Sequence, residues 1–349
     1  MLTRADLAAL PSYIPGRTVP GSIKLASNEV AYGPLPGVLE AIVEAAANTH
    51  RYPDLGVAEL RATFATRLGV ADDRIATGCG SVALAESLVK ATCHDGDEVI
   101  YSWRSFEAYP IITATQGATS VRVPNTAEHG HDVSAMAAAV TDRTRLMFVC
   151  NPNNPTGTAL RKAELDALLD AVPPSVLVVL DEAYREFITD PAVPDGFAEY
   201  GDRPNVVVLR TLSKAWGLAG LRVGYLVAQP DVAAAVRKVT TPFSTSLVAQ
   251  AAALAALRAE EEMLRRVRLV VAERDRLVGA LRKRLPDIPP TQGNFVWLPL
   301  ADESVAFGAA CEAAGVVVRP FAGDGVRVTI GTADENDTFL AVAEQTLIS

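Results

Sequence analysis

The sequence predicts an α/β fold: a mainly parallel, doubly wound seven-stranded sheet followed by a smaller C-terminal α/β domain. Three observations support this. Residues 74–228 alternate short apolar runs with segments of helical periodicity. The apolar runs lack polar alternation, so each strand is expected to be covered on both faces, as in a parallel sheet flanked by helices. Beyond Pro242 the pattern changes to long helices and a few short strands, which suits a second lobe.

The elements follow in order. Leu60, Phe64 and Leu68 make an i, i+4, i+8 stripe, with Gly69 as the stop. The seven candidate strands are 74–78, 97–102, 118–123, 145–150, 176–181, 205–211 and 222–228. Ser81 is placed to cap a helix running to Cys93. Leu165, Leu168, Leu169 and Val172 mark a crossover helix over 161–172. A helical region spans about 245–285. The strands NFVWLPL (294–300), VVVRP (316–320) and VRVTIGT (326–332), a helix near 302–314 and a final helix complete the second lobe. The boundaries read as an arm over 1–27, a large domain over 28–240 and a small domain over 241–349.

Composition narrows the function classes. The net charge of −9, with no basic run, disfavours nucleic acid as a partner. No run of 18 apolar residues is present, so no membrane span is expected. The first residues lack the layout of a secretory signal, which points to the cytoplasm. Cys79, Cys93, Cys150 and Cys311 are scattered without a CxxC pair and read as reduced thiols. His129 and His131 flank a glycine in a polar stretch and read as a solvated loop. No metal site is expected.

Chemistry gathers at strand ends, where ligands bind in such sheets. The segment TLSKAWGLAGLRVGY (211–225) leaves a strand and presents Lys214. A desolvated lysine amine condenses with an aldehyde. Thr211, Ser213 and Arg222 suit a phosphate. Asp181 ends the run VLVVLDEAY, where a buried carboxylate needs a cationic partner such as a pyridinium nitrogen. Tyr184 follows three residues later, and Glu182 reads as structural. Asn154, in CNPNNPTG, precedes a proline and can donate its amide to a ring oxygen. Gly78, Gly80 and Ser81 sit between strand and helix, where free N–H groups attract an anion.

These motifs jointly call for an aromatic pyridinium bearing an aldehyde, an acidic hydroxyl and a phosphate. Their order resembles that of the fold-type I pyridoxal-phosphate enzymes. The nearer likeness is to the histidinol-phosphate aminotransferase branch of the class I/II aminotransferases, and within it to aromatic amino acid aminotransferases of actinobacterial type. It runs from IKLASNE (23–29) through RYPD (51–54), NPNNPTG, DEAY and the lysine motif to VRVTIGT.

The resemblance implies pyridoxal 5'-phosphate as cofactor. It implies that Lys214 forms the Schiff base and shuttles the proton, that Asp181 pairs with the ring nitrogen, and that Asn154 and Tyr184 bind the ring oxygen. Phe106, in WRSFEAYP, would stack on the ring. The backbone at Gly80, Ser81 and Val82, with Thr211, Ser213 and Arg222, would hold the phosphate. Tyr52 would reach the neighbouring subunit's phosphate, which implies a homodimer. Arg327 would grip the substrate α-carboxylate, with Asn28, Tyr13 and Phe243 also at the substrate.

Two departures bear on the amine donor. Asn28 and Glu29 are present in SNEVAYGP without the NENP proline of histidinol-phosphate aminotransferases, and Pro242–Phe243 stands where they carry Pro-Tyr. A phenylalanine offers no hydroxyl to a phosphate and favours an apolar ring. The expected reaction is therefore ping-pong transfer of the amino group from phenylalanine or tyrosine, with tryptophan as a further candidate, to 2-oxoglutarate. Three alternatives stay open on the residues: histidinol-phosphate transamination, decarboxylation of an amino-acid phosphate, and a non-catalytic cofactor-binding protein.

Overall fold

The computed structural model describes residue 10 and residues 16–347; Tyr13 lies outside the described residues. In chain order the strands are β1 Ile23–Lys24, β2 Ile75–Cys79, β3 Glu98–Trp103, β4 Thr119–Pro124, β5 Thr144–Cys150 and β6 Leu177–Asp181. They continue as β7 Val206–Thr211, β8 Val223–Val227, β9 Phe295–Leu298, β10 Val316–Val317, β11 Arg319–Phe321 and β12 Gly325–Thr329.

Seven strands form the main sheet in the order β2-β8-β7-β6-β5-β3-β4. All seven apolar runs therefore become its strands. β7, β6, β5, β3 and β4 are parallel. β8 runs antiparallel to both of its neighbours, β2 and β7.

Alternate residues face opposite cores. Val99, Tyr101, Phe148, Val179 and Leu209 pack under the helices Gly80–Thr92 and Pro230–Val239. Ile100, Met147, Val149, Val178 and Val208 pack against the helix Lys162–Ala171. This two-sided burial is why the central strands carry no polar alternation. The run at 118–123 departs from the expectation of full burial: β4 is an edge strand, and only Val123 of its six residues is buried.

The helix boundaries hold two corrections. The helix expected to be capped by Ser81 begins at Gly80, with Cys79 at the cap and no side-chain cap bond. Ser81 lies inside the first turn, which leaves the turn's N–H groups open to an outside acceptor. The helical region after Pro242 is two helices, Leu247–Arg258 and Glu260–Leu281, broken at Ala259. Three glutamates, 260–262, open the second one and complement its dipole. Gly69 does terminate Ala58–Leu68, at φ 67°.

The C-terminal lobe holds a three-stranded antiparallel sheet, β11-β12-β9. It also holds the helices Ser304–Ala313 and Ala333–Thr346. β1 pairs in parallel with β10, so the segment read on sequence as an arm lends a strand to this lobe. One apolar core runs from Leu60 and Phe64 through Leu277 and Phe295 to Val326.

His131 is not in a solvated loop. It is buried, with Nε2 2.8 Å from the Cys150 carbonyl, a bond that compensates its removal from water. The four cysteines are free. Among the described residues no helix is long and apolar enough to cross a membrane.

Candidate active site

Parallel β5, β6 and β7 end together. Cys150 pairs with Asp181 and Asp181 with Leu209, while Thr211, two residues further along β7, pairs with Gly224 of β8. A cleft of about 220 Å³, open at its mouth, lies at this edge between the main sheet and the C-terminal lobe.

Lys214 follows β7 in a tight turn, held by Gly217 N–H to Lys214 O at 2.9 Å and Leu218 N–H to Leu212 O at 3.0 Å. Its Nζ donates to the Ser27 carbonyl at 3.2 Å. The residue keeps some solvent exposure, but its amine is enclosed by protein. Burial lowers its pKa to about 7, and the Arg327 guanidinium adds to the effect.

Asp181 is buried at the end of β6. Burial raises its carboxyl to about 6, against a hydrogen bond from Tyr109 that favours the charged form. The Tyr109 hydroxyl donates to Oδ2 at 2.7 Å. Oδ1 accepts no well-formed hydrogen bond among the described residues, although the Ala183 amide is near enough to favour the charge. Such a buried acceptor is costly unless a ligand donor meets it.

Two donors converge from elsewhere. Asn154 accepts from Arg327 Nη1 through Oδ1 at 2.6 Å, which leaves its NH₂ for the cleft. Tyr184 accepts from Asn28 Nδ2 at 2.9 Å. Burial raises the Tyr184 phenol above its usual value, so it stays protonated and able to donate.

An anion cup closes one end. Arg222, at φ 58°, donates from Nη1 to Ser213 Oγ at 3.2 Å, and Thr211 Oγ1 donates to Ser213 Oγ at 3.0 Å. Ser81 and Val82 line the same cleft. Gly80 carries φ 79°, and a Cβ there would overlap the Arg222 guanidinium. Gly224 is equally constrained: its Cβ would overlap the Ser81 amide and lie 2.6 Å from the Gly80 carbonyl carbon. The cup therefore needs glycine at two places, the first residue of the helix Gly80–Thr92 and Gly224 near the start of β8.

The far wall is aromatic and basic. Phe106 lines the cleft, with its ring 5.5 Å from Tyr109 at 89°. Phe321 of β11 lines it too, with the guanidiniums of Arg104, Arg319 and Arg327 at 5.2, 5.3 and 5.8 Å from its ring. Arg319 and Arg327 are direct cross-strand partners, and both line the cleft. Two ion pairs tie this wall to the large domain, Arg104–Asp324 at 2.6 Å and Arg319–Glu107 at 2.9 Å.

Lys214, Asp181, Tyr184, Asn154, Thr211, Ser213, Arg222, Phe106 and Arg327 thus share one cleft. Asn28 lines it too, but its amide is committed to Tyr184 and Thr329. Tyr52 and Phe243 are placed elsewhere. They stack on each other at 4.6 Å, exposed by 82% and 39%, and do not line this cleft within one chain. Glu182 is structural, a buried partner of Arg210 at 2.6 Å.

Sequence reasoning missed Tyr109, Gly224, Phe321 and Arg319. Tyr109 lies in the first turn of the helix Ala108–Thr115, just after Phe106 in WRSFEAYP, and that clustering of aromatics was the available signal. The other three become meaningful only through pairing across the fold.

The chain matches the family "Aminotransferase class I and II" over residues 20–342. It belongs to that family. An aromatic amino acid aminotransferase from Rhodococcus jostii (strain RHA1) is 60% identical, covering 99% of this chain and 96% of the relative. One from Streptomyces avermitilis is 58% identical, covering 98% and 96%. Among solved structures, the histidinol-phosphate aminotransferase from Sinorhizobium meliloti in complex with pyridoxal-5'-phosphate superposes with a TM-score of 0.87 at 28% identity, covering 99% of this chain and 97% of that one. The aminotransferase fold and reaction class expected from the motifs therefore hold.

Proposed function

We propose that this aminotransferase uses pyridoxal 5'-phosphate to move the amino group of an aromatic amino acid to a 2-oxo dicarboxylic acid. The observation that carries the cofactor assignment is the pairing of an enclosed lysine amine with the unmatched Oδ1 of Asp181 across one cleft. The donor set fits the group: Asp181 for a protonated ring nitrogen, Asn154 and Tyr184 for the ring oxygen, and Arg222, Ser213 and the open helix turn at Ser81 and Val82 for the phosphate. Bound there, the cofactor supplies an aldehyde for the amine and a cationic ring that draws off the electron pair left at the substrate α-carbon.

The chain's own residues supply the rest. Lys214 Nζ, with a proton affinity near neutrality, takes the substrate's α-proton and returns it. Asp181 keeps the ring nitrogen protonated. Arg327 binds the α-carboxylate with a planar fork of donors. Phe106 excludes water from the ring face.

The aromatic donor is supported by Phe106 and Phe321 in the cleft lining and by the names of the relatives at 60% and 58% identity. Arg319, beside Arg327, supports an acceptor with a second carboxylate, such as 2-oxoglutarate. The exposed Leu39, Val43, Tyr52, Leu55 and Phe243 support a homodimer in which Tyr52 reaches the neighbouring cleft. Because Phe243 stacks on Tyr52, it travels to the same place. The domain division at 27/28 and 240/241 is part of this proposal, with β1 joined to the C-terminal lobe.

A donor panel with 2-oxoglutarate, read as kcat/KM, tests the reading. Phenylalanine and tyrosine should exceed histidinol phosphate by at least about 10-fold. A preference for histidinol phosphate would sink the aromatic assignment and leave the transaminase.

A further inference from the structure

Asn28 is buried and sits at φ 55°, a left-handed conformation that asparagine tolerates better than most residues. Each of its polar groups has a partner. Its backbone N–H donates to Thr329 Oγ1 at 2.9 Å, and its carbonyl accepts from Asn294 Nδ2 at 3.1 Å. Its Oδ1 lies 3.1 Å from Thr329 Oγ1, and its Nδ2 lies 2.9 Å from the Tyr184 hydroxyl.

The backbone N–H of Asn28 can only donate, so it takes one lone pair of Thr329 Oγ1. The Thr329 hydroxyl turns its own proton to Oδ1 at 3.1 Å. With Oδ1 accepting, the amide NH₂ is the end that faces Tyr184. The Tyr184 oxygen therefore accepts, and its own proton is left for the cleft.

We propose that Thr329 and Asn28 are positioning residues that force the Tyr184 hydroxyl to act as a donor into the Lys214 cleft. The inference rests on the cofactor reading above and adds to it Asn28, at the cleft wall, and Thr329, behind it and outside the cleft lining. Without Thr329 Oγ, the Asn28 amide loses the contact that orients it, and either end can face Tyr184. With the amide reversed, Tyr184 would donate back to Asn28 Oδ1 and withdraw its proton from the cleft.

A donor on the cofactor's ring oxygen favours the unprotonated form of the chromophore. Its loss should raise the pH at which the visible absorption of the resting holoenzyme changes. The other charged and titratable groups facing this point are Lys214, Arg222, Arg327, Asp181, Cys150 and Glu29. None of them is altered by a change at Thr329.

The test is a spectrophotometric pH titration of holoenzyme without substrate. Thr329→Val should move the midpoint up by about half a unit to one unit, the size expected for one net hydrogen bond. Thr329→Ser should titrate as wild type. Asn28→Gly keeps the left-handed backbone accessible and removes the amide, so it should shift like Thr329→Val and serves if the valine variant folds poorly. Tyr184→Phe should shift the midpoint by itself, and adding Thr329→Val to it should produce no further change. Midpoints at the wild-type value in both Thr329→Val and Asn28→Gly would overturn the inference alone. So would additive shifts in the double variant. A wild-type protein with no visible band that depends on Lys214 would overturn it together with the cofactor reading.

Discussion

Tyr109 donates a 2.7 Å hydrogen bond to Oδ2 of Asp181, a residue of the cleft lining, and leaves Oδ1 buried without a well-formed partner. The tyrosine is held flat on Phe148, with ring centroids 4.4 Å apart and planes within 6°. It fixes the carboxylate's rotamer from below and offsets part of the cost of burying its charge.

Tyr109→Phe keeps the stacking and removes only the hydroxyl. Oδ2 would then be buried without its donor. Cofactor affinity should fall by about 10-fold, and stability by about 1–3 kcal/mol. Equilibrium dialysis of cofactor and urea unfolding of the apoprotein read the two effects separately. Unchanged affinity would mean that Asp181 is oriented by something else.

Lys214→Ala should still bind pyridoxal 5'-phosphate, because the Arg222 cup and Asp181 remain. It should lose the visible band of the lysine-linked cofactor and nearly all turnover. Absorption and kcat decide this. Wild-type turnover in the variant would remove Lys214 from the mechanism.

Apoprotein stability should depend on pH through the same lysine. Its pKa falls from 10.5 to about 7 on folding, so between these values the unfolded chain binds more protons than the native one. Stability then rises with pH across that window. Asp181 shifts the other way, from 3.8 to about 6, so its contribution declines as pH rises through that lower window. Between about pH 7 and about pH 9, wild-type apoprotein should gain about 2 kcal/mol that Lys214→Met does not. Denaturant midpoints of the two proteins measure the difference; parallel curves would show that the amine titrates normally.

Hybrid dimers test the exchange of Tyr52. Lys214→Ala and Tyr52→Ala subunits should each be weak alone. Mixed by co-expression, they form a heterodimer with one site carrying both native residues. Activity should rise several-fold above either parent. No recovery in purified heterodimer would place Tyr52 in its own subunit's site or outside both.

Much of this was legible in the chain. All seven sheet strands are found among the apolar runs; for the central ones, burial on both faces leaves no room for polar alternation, whereas β4 is an exposed edge strand. Lys214, Asp181, Asn154 and Arg222 stand out because each puts an expensive or directional group at a strand end. Ser81 carried two readings, a helix cap and part of an anion site, since a serine opening a helix looks alike whether it serves the backbone or a ligand; only the cap is overturned. His131 was misread because its partner, the Cys150 carbonyl, is nineteen residues away and backbone. Thr329 and Gly224 carry no local signal: one is a strand threonine and the other a strand glycine until Asn28 or Ser81 is brought against it.

The reversed direction of β8 has a consequence for chain length. Because it opposes β7, the chain leaves the sheet at Thr211 and re-enters beside it at Gly224. Lys214 and Arg222 both ride on that one excursion, so the span from amine to phosphate anchor is set by a counted stretch of peptide pinned at both ends. A single inserted or deleted residue between them would change that measure. The segment is therefore one where length, more than side-chain identity, is the property that any redesign of this enzyme must preserve.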